Sequence, residues 1–136
     1  MAATIAFELV TPERLVKSDP VEMVVVPGAE GDMGVLPGHS LLVGTLRPGA
    51  VTVYEGGKPV ERLFVAGGFV DVSPERCTVL ADEAIPLAEI ARPEAEARLA
   101  RARARLAEAD TDAAKAQGQR AVAVAETLLA LVERAA

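Results

Sequence analysis

The side chains in this 136-residue chain that could do chemistry are few and scattered. His39 is the only histidine and Cys77 the only cysteine, so neither has the Cys/His neighbours that a zinc site requires. His39 follows Pro37-Gly38 and reads as a turn residue with hydrogen-bonding duty. Cys77 lies in a strand pattern with Val79 and reads as a small buried hydrophobe. Gly28, Gly31 and Gly34 resemble a phosphate cradle only superficially. A Walker loop needs Lys and then Ser or Thr after its last glycine, whereas Val35-Leu36 follow Gly34; a dinucleotide loop must open a helix, and no helical pattern follows. Glu30 and Asp32 flank Gly31 as an acidic pair. Arg98, Arg101, Arg103 and Arg105 form a basic run that could contact phosphate or, equally, be the solvated face of a helix. With no paired nucleophile and base and no metal cluster, the inventory points away from catalysis.

The elements that must position these residues are organised around the stretch from Pro27 to Gly49. It holds nine Gly and Pro residues in 23 positions, yet Val35-Leu36 and Leu41 to Val43 thread apolar residues between them. A flexible tether would carry Ser, Lys or Glu there instead, so this is a compact, sharply turning segment between short strands. Before it, Ile5, Phe7 and Leu9 share one side of an alternating strand. A second strand begins at Arg14 to Lys17, and Ser18-Asp19-Pro20 is expected to break it before the β-branched run Val21 to Val26. After it, Ala50 to Tyr54 and Pro59 to Ala66 flank a Gly-Gly hairpin tip at Glu55 to Lys58, and Phe69 to Val72 and Cys77 to Leu80 flank Ser73 to Arg76. Eight to ten short strands at this spacing predict an antiparallel β-sandwich or flattened barrel over residues 1–86.

Composition then changes. Beyond Pro93 there are 16 alanines in 43 residues, one glycine and no proline, a helical mixture. Pro93 suits a first helical position. Ala95, Leu99, Ala102, Leu106, Ala109 and Ala113 form one narrow seam, and Ala121, Ala125, Leu128, Val132 and Ala135 a second, with a turn at Asp110-Thr111-Asp112. The prediction is an α+β chain whose residues 87–136 are a linker and an antiparallel helical hairpin. Alanine buries little area, so the hairpin is marginal alone and able to swing between docking positions, with Gly118 as its weak point.

The net charge of −6 leaves no basic surplus for nucleic acid. Residues 1–92 carry 7 Lys+Arg against 13 Asp+Glu, and residues 93–136 carry 7 against 7. A lone cysteine fits a reducing compartment. No apolar run reaches the ~18 residues of a membrane span, and the N-terminus lacks a signal-peptide pattern, so a soluble cytosolic chain is expected unless a partner holds it at a membrane.

The run PG-x-x-GDMGVLPGH-x-LL-x-x-L-x-PG (Pro27 to Gly49), followed in order by FVAGGFVDV (Phe64 to Val72) and VLADEAI (Val79 to Ile85), resembles the signature of the epsilon rotor subunits of bacterial and chloroplast F-type ATP synthases. The resemblance implies a non-catalytic subunit on the cytoplasmic face of a bacterial inner membrane, peripheral to it through the complex. It implies a sandwich that clamps the stalk subunit gamma and rests on the c-ring, with Glu30, Gly31, Asp32 and His39 at the ring contact. It further implies a regulatory hairpin that reaches the alpha/beta catalytic hexamer when extended. Many members show an [Ile/Leu]-Asp-x-x-Arg-Ala motif that binds ATP; Glu89 and Arg92 occupy its Asp and Arg positions, with Arg98 beyond. Glu89 is one methylene longer than Asp and Pro93 replaces Ala, removing an N–H, so no cofactor is expected and ATP only as a weak regulatory ligand. The rival readings are a free-standing nucleotide-sensing β-sandwich and a generic ligand-binding sandwich with a dimerising hairpin.

Overall fold

The computed structural model describes residues 3–135. The chain divides into two compact units, the first ending at Pro86 and the second beginning at Leu87. The first unit holds ten strands: β1 (Ile5–Val10), β2 (Leu15–Val21), β3 (Met23–Gly28), β4 (Gly31–Val35), β5 (Leu42–Leu46), β6 (Gly49–Glu55), β7 (Lys58–Val65), β8 (Gly68–Val72), β9 (Arg76–Ala81) and β10 (Ala84–Pro86). They pair in the order β10-β7-β6-β3-β5-β8-β9-β1-β2, with β4 added on β3. The sheet folds back until Lys17 of β2 reaches Glu61 of β7 at 2.7 Å, leaving a nearly closed sandwich. Alternation sends Ile5, Phe7 and Leu9, Val24 and Val26, Val51 and Val53, Val70 and Val72, and Cys77 and Val79 into one aliphatic core.

Local turn chemistry accounts for the hairpins. Gly56 and Gly57 both take positive φ (59° and 75°) between β6 and β7, the backbone that a two-residue hairpin turn demands. At the β8–β9 turn the Ser73 N–H donates to the Arg76 carbonyl at 2.8 Å.

Two features depart from the sequence reading. β2 does not break at Ser18-Asp19-Pro20 but runs through them to Val21, with Pro20 opposite Ala6. β2 is the last strand of the sheet, where a missing N–H is tolerated. Nor are all pairings antiparallel: β1 and β9 run parallel, with Phe7 opposite Cys77 and Leu9 opposite Val79. Parallel neighbours need a long connection, here the seven strands between them, and no local turn signal can announce it.

The second unit holds a 3-10 turn (Leu87–Glu89), α1 (Arg92–Glu108) and α2 (Asp112–Ala135). Helix α1 starts one residue before Pro93, which takes the second helical position. Thr111 caps α2, its Oγ1 accepting the Ala114 N–H at 3.0 Å. The helices are antiparallel, as shown by Arg92 beside Glu133 and Arg103 beside Glu126. Ala95, Leu99, Ala102, Ala125, Leu128 and Val132 are buried as expected, but Ala113, Ala121 and Ala135 are exposed. Val122 packs on the Leu99–Ala102–Ala125 cluster instead of Ala121. A straight helix drifts about 20° per heptad from a 3.5-residue seam, enough to rotate the outlying positions off the contact line.

Candidate functional site

The acidic pair sits on the β3–β4 hairpin, whose last ladder pair is Gly28 opposite Gly31, with Ala29 and Glu30 at the turn. Glu30, Gly31 and Asp32 are exposed. What holds them is Arg47, in the connection between β5 and β6. One terminal nitrogen of its guanidinium donates to the Gly28 carbonyl and the other to Asp32 Oδ1. Its backbone N–H donates to the Pro27 carbonyl at 2.9 Å, and the Ala29 N–H donates to the Thr45 carbonyl at 2.8 Å. The glycines permit this approach: a Cβ on Gly28 would lie 2.7 Å from the Gly31 carbonyl oxygen, and one on Gly49 would lie 2.7 Å from Pro27 Cβ. The first and last of the stretch's three Pro-Gly pairs thus seat its ends against each other.

Sequence reasoning passed over Arg47. A signal existed, because Glu30, Asp32 and Arg47 are the only Asp, Glu, Lys or Arg between Pro27 and Gly49. A single cation among two acids in a segment that folds on itself has an obvious destination.

His39 lies elsewhere. It follows the far end of β4, so the five-residue strand (~3.3 Å per residue) separates it from the hairpin turn. Its N–H donates to the Leu36 carbonyl at 3.1 Å, and its Nδ1 lies 2.7 Å from the Ser40 carbonyl, which makes Nδ1 the protonated nitrogen. The neighbouring Gly38 N–H donates to the Pro74 carbonyl of the β8–β9 turn. The structure therefore brings Glu30, Gly31 and Asp32 together and leaves His39 apart, as a turn residue.

A second surface was not anticipated. Register places Leu15 opposite Val10, Val10 opposite Leu80, Leu80 opposite Phe69, and Phe69 opposite Thr45. Leu15, Leu80 and Phe69 are 54%, 49% and 56% exposed, so an apolar row crosses β2, β1, β9 and β8 on the side facing away from the core. Val43 of β5 and Leu41 just before it, exposed further still, extend it. Alternation predicts outward positions for these residues, and a solvated sheet face would carry polar side chains there.

In the helical unit, Glu89 ends the 3-10 turn and is exposed. Arg92 is engaged by carboxylates, with Nε 2.8 Å from Glu96 and Nη2 3.4 Å from Glu133. Arg98 lines a shallow groove of about 310 Å³ with Ile90, Glu94, Arg101 and Leu128. Two carboxylates already occupy the guanidinium that a phosphate would need, and a third, Glu94, lines the adjoining groove.

Among the described residues no three metal-ligating side chains converge. Cys77 is fully buried, and burial, with a smaller contribution from Asp71, pushes its thiol up to about 12, so it is no nucleophile at neutral pH. Among the described residues no helix is long and apolar enough to cross a membrane.

The chain is similar to known proteins in sequence and in fold. The family described as ATP synthase, Delta/Epsilon chain, beta-sandwich domain matches residues 4–87. The ATP synthase epsilon chain of Rhodospirillum rubrum is 61% identical over 88 residues, 65% of this chain and 66% of that protein. That of Paramagnetospirillum magneticum is 55% identical over 87 residues, 64% of this chain and 65% of that protein. The aligned stretch thus spans just under two thirds of these relatives. A chain of the Euglena gracilis mitochondrial ATP synthase, solved as OSCP/F1/c-ring in rotational state 1, superposes with a TM-score of 0.79 at 33% identity, covering 97% of this chain and 83% of that one. A chain of the Tetrahymena thermophila mitochondrial ATP synthase central stalk and c-ring shares the fold, with a TM-score of 0.64 at 14% identity.

Proposed function

The chain belongs to the ATP synthase delta/epsilon family, and from that premise we propose that it is a non-catalytic rotor subunit of a proton-translocating ATP synthase. Its sandwich joins the central-stalk subunit gamma to the c-ring, and its hairpin restrains ATP hydrolysis by reaching the alpha/beta hexamer. It sits on the cytoplasmic side of a bacterial inner membrane, attached through the complex.

The observation that carries this reading is the apolar row Leu15, Val10, Leu80 and Phe69. Large apolar side chains half-exposed on β2, β9 and β8, with the partly buried Val10 of β1 between them, are a partner-sized surface, and a chain that only sensed a soluble nucleotide would have no use for it. We assign the row to gamma and the β3–β4 turn to the ring. Nucleotide binding at Glu89, Arg92 and Arg98 is at most weak, because Glu96 and Glu133 already engage Arg92. The sequence expectation of ATP as a weak regulatory ligand is kept in that form.

The test is co-purification with gamma. Phe69→Glu together with Leu80→Lys places an opposite-charge cross-strand pair in the row without touching the core, and should weaken gamma binding by at least about tenfold, the scale of a buried anchor lost from an interface. The circular dichroism melt of the free chain should be unchanged. Undiminished gamma binding by the folded double variant would overturn the assignment.

A further inference from the structure

We propose that Lys17 is the positioning residue of the apolar row. Through its ion pair with Glu61 it fixes the end strand β2, and with it Leu15, relative to the rest of the sheet. This rests on the assignment of the row to gamma and goes beyond it, because it names what holds the row's outermost side chain in place.

Of the strands that carry the row, β2 is held least. It ends the sheet and has a ladder on one side only, to β1. Its one fully buried side chain, Val21, lies at the opposite end of the strand from Leu15. The ladder also carries a bulge between the two ends. Leu9 pairs with Lys17 but Val10 pairs with Leu15, so Val16 is an extra residue on β2. A bulge bends its strand and loosens the local pairing, so β1 alone does not fix the direction of Leu15.

Across the gap stands a second open edge. β10 covers β7 only at Leu63, Phe64 and Val65, and among the described residues 58–62 of β7 have no strand on that side. Lys17 joins the two edges: its Nζ lies 2.7 Å from Glu61 Oε1 and 3.0 Å from Asp19 Oδ2. Register puts both Lys17 and Glu61 on the core side of their strands, opposite Leu9 and Val53. With only 18% of the Lys17 side chain exposed, salt screens the pair less than it would a fully solvated bridge. Burial alone would lower the Lys17 pKa, but Glu61 and Asp19 outweigh it and hold the ammonium above its ordinary 10.5. Asp19 belongs to β2 itself and cannot tie it to anything else; Glu61 can. Leu15 is on the outer face and Lys17 on the inner, so a change at Lys17 reaches gamma only by moving β2.

The experiment titrates the full chain with the gamma subunit and follows amide hydrogen exchange in the free chain. Lys17→Met keeps an unbranched stem and removes the charge. It should weaken gamma binding about fivefold, the upper end for one ion pair. It should speed exchange of the β2 amides bonded to β1 by a similar factor and leave those of β8 and β9 unchanged. Glu61→Ala should act in the same way, and Asp19→Asn should do neither. Reversing the pair, Lys17→Glu with Glu61→Lys in the Asp19→Asn chain, should return both readouts toward the parent. Leu15→Ala should weaken gamma binding without changing β2 exchange, and should cost less in the Lys17→Met background, where the leucine is already displaced. If Lys17→Met frees β2 but gamma binds as before, Leu15 needs no fixing, and the proposal fails while the row assignment stands. If β2 exchange does not respond, Glu61 does not hold the strand, and the proposal fails in the same way. The row assignment has its own test in Phe69→Glu with Leu80→Lys, both off β2; undiminished gamma binding there removes the two together.

Discussion

In the sandwich, burial is achieved by large aliphatic and aromatic side chains brought together from distant parts of the chain: Ile5, Phe7 and Leu9 of β1 meet Val51, Val53, Val70, Val72 and Val79, all at most 1% exposed. In the hairpin the central cluster is Leu99, Ala102 and Ala125, with Val122 and Leu129 packed against it. A buried leucine or phenylalanine contributes about 2–3 kcal/mol and an alanine a fraction of that, so the hairpin substitutes closeness of backbones for volume of side chains. Both units depend on glycine for close approach, but against different obstacles. At Gly28 and Gly68 of the sandwich the neighbour is hydrogen-bonded strand backbone. In the hairpin it is one leucine on a helix whose position is set by a few small contacts.

The sharpest break in this comparison comes from Gly68. Its φ is +139°, and a Cβ there would lie 2.1 Å from the Leu80 carbonyl oxygen and 2.9 Å from the Ala81 Cα. Both obstacles belong to β9, which is paired on its other side with β1 and cannot retreat. Gly68→Ala should lower the unfolding free energy of the sandwich by about 3 kcal/mol or more, combining backbone strain with a clash. Urea unfolding followed by far-UV circular dichroism measures it, and a loss below about 1 kcal/mol would mean that the β8–β9 edge yields far more than a strand ladder should.

What was legible in the sequence follows the same division. Elements written in local chemistry were read from it: the Gly56-Gly57 turn, the Ser73 to Arg76 turn, the Ile5-Phe7-Leu9 stripe and the middle of each helical seam. Elements set by long-range pairing were not. Nothing near Ile5 or Arg76 tells that β1 and β9 run parallel, and Pro20 is tolerated only because β2 lies at an edge, a fact of topology. At the candidate site the acids were visible, but the partner of Asp32 lies 15 residues away. The apolar row was hidden for another reason. Val10, Phe69 and Leu80 each alternate correctly with core residues and look ordinary singly, and only the register across β2, β1, β9 and β8 lines them up.

A smaller effect separates the units by pH. Cys77 is fully buried, and its thiol is pushed from an ordinary 9.0 up to about 12, first by burial and then by Asp71. Below about pH 9 the thiol is neutral in both folded and unfolded chains and contributes no pH dependence. Between about 9 and 12 the unfolded chain releases this proton and the folded chain keeps it, so the folded state loses stability as pH rises, with a limiting slope of about 1.4 kcal/mol per pH unit. Cys77→Ala removes that component. Plotted against pH, its unfolding free energy should fall less steeply than that of the parent above pH 9 and run parallel to it below. Equal slopes above pH 9 would show that water reaches the thiol. The hairpin has no cysteine, so its helical signal should not follow the difference.

The smallest effect is expected at Gly118, and there the comparison can be read most finely. A Cβ on Gly118 would lie 3.0 Å from Leu106 Cδ1, 3.2 Å from its Cα and 3.3 Å from its Cβ. These distances are tight but not forbidden, and no positive φ is involved. Alanine gains about 1 kcal/mol over glycine in a helix interior. Against that, α1 and α2 must part by a few tenths of an ångström, or Leu106 must turn, which loosens the contacts of neighbouring small residues. Because Leu106 is only half-buried and one of the three close atoms ends a flexible side chain, the two effects should nearly cancel. Gly118→Ala is therefore expected to change hairpin stability by no more than about 0.5 kcal/mol, whereas Gly118→Leu, which cannot fit beside Leu106, should cost about 2 kcal/mol. Amide hydrogen exchange of Val122 to Leu129 in the full chain reports the local opening free energy for each. The full helix-propensity gain in the alanine variant would show that the helices do not approach closely there. An alanine cost approaching that of Gly68→Ala would show instead that the hairpin is as unyielding as the strand ladder.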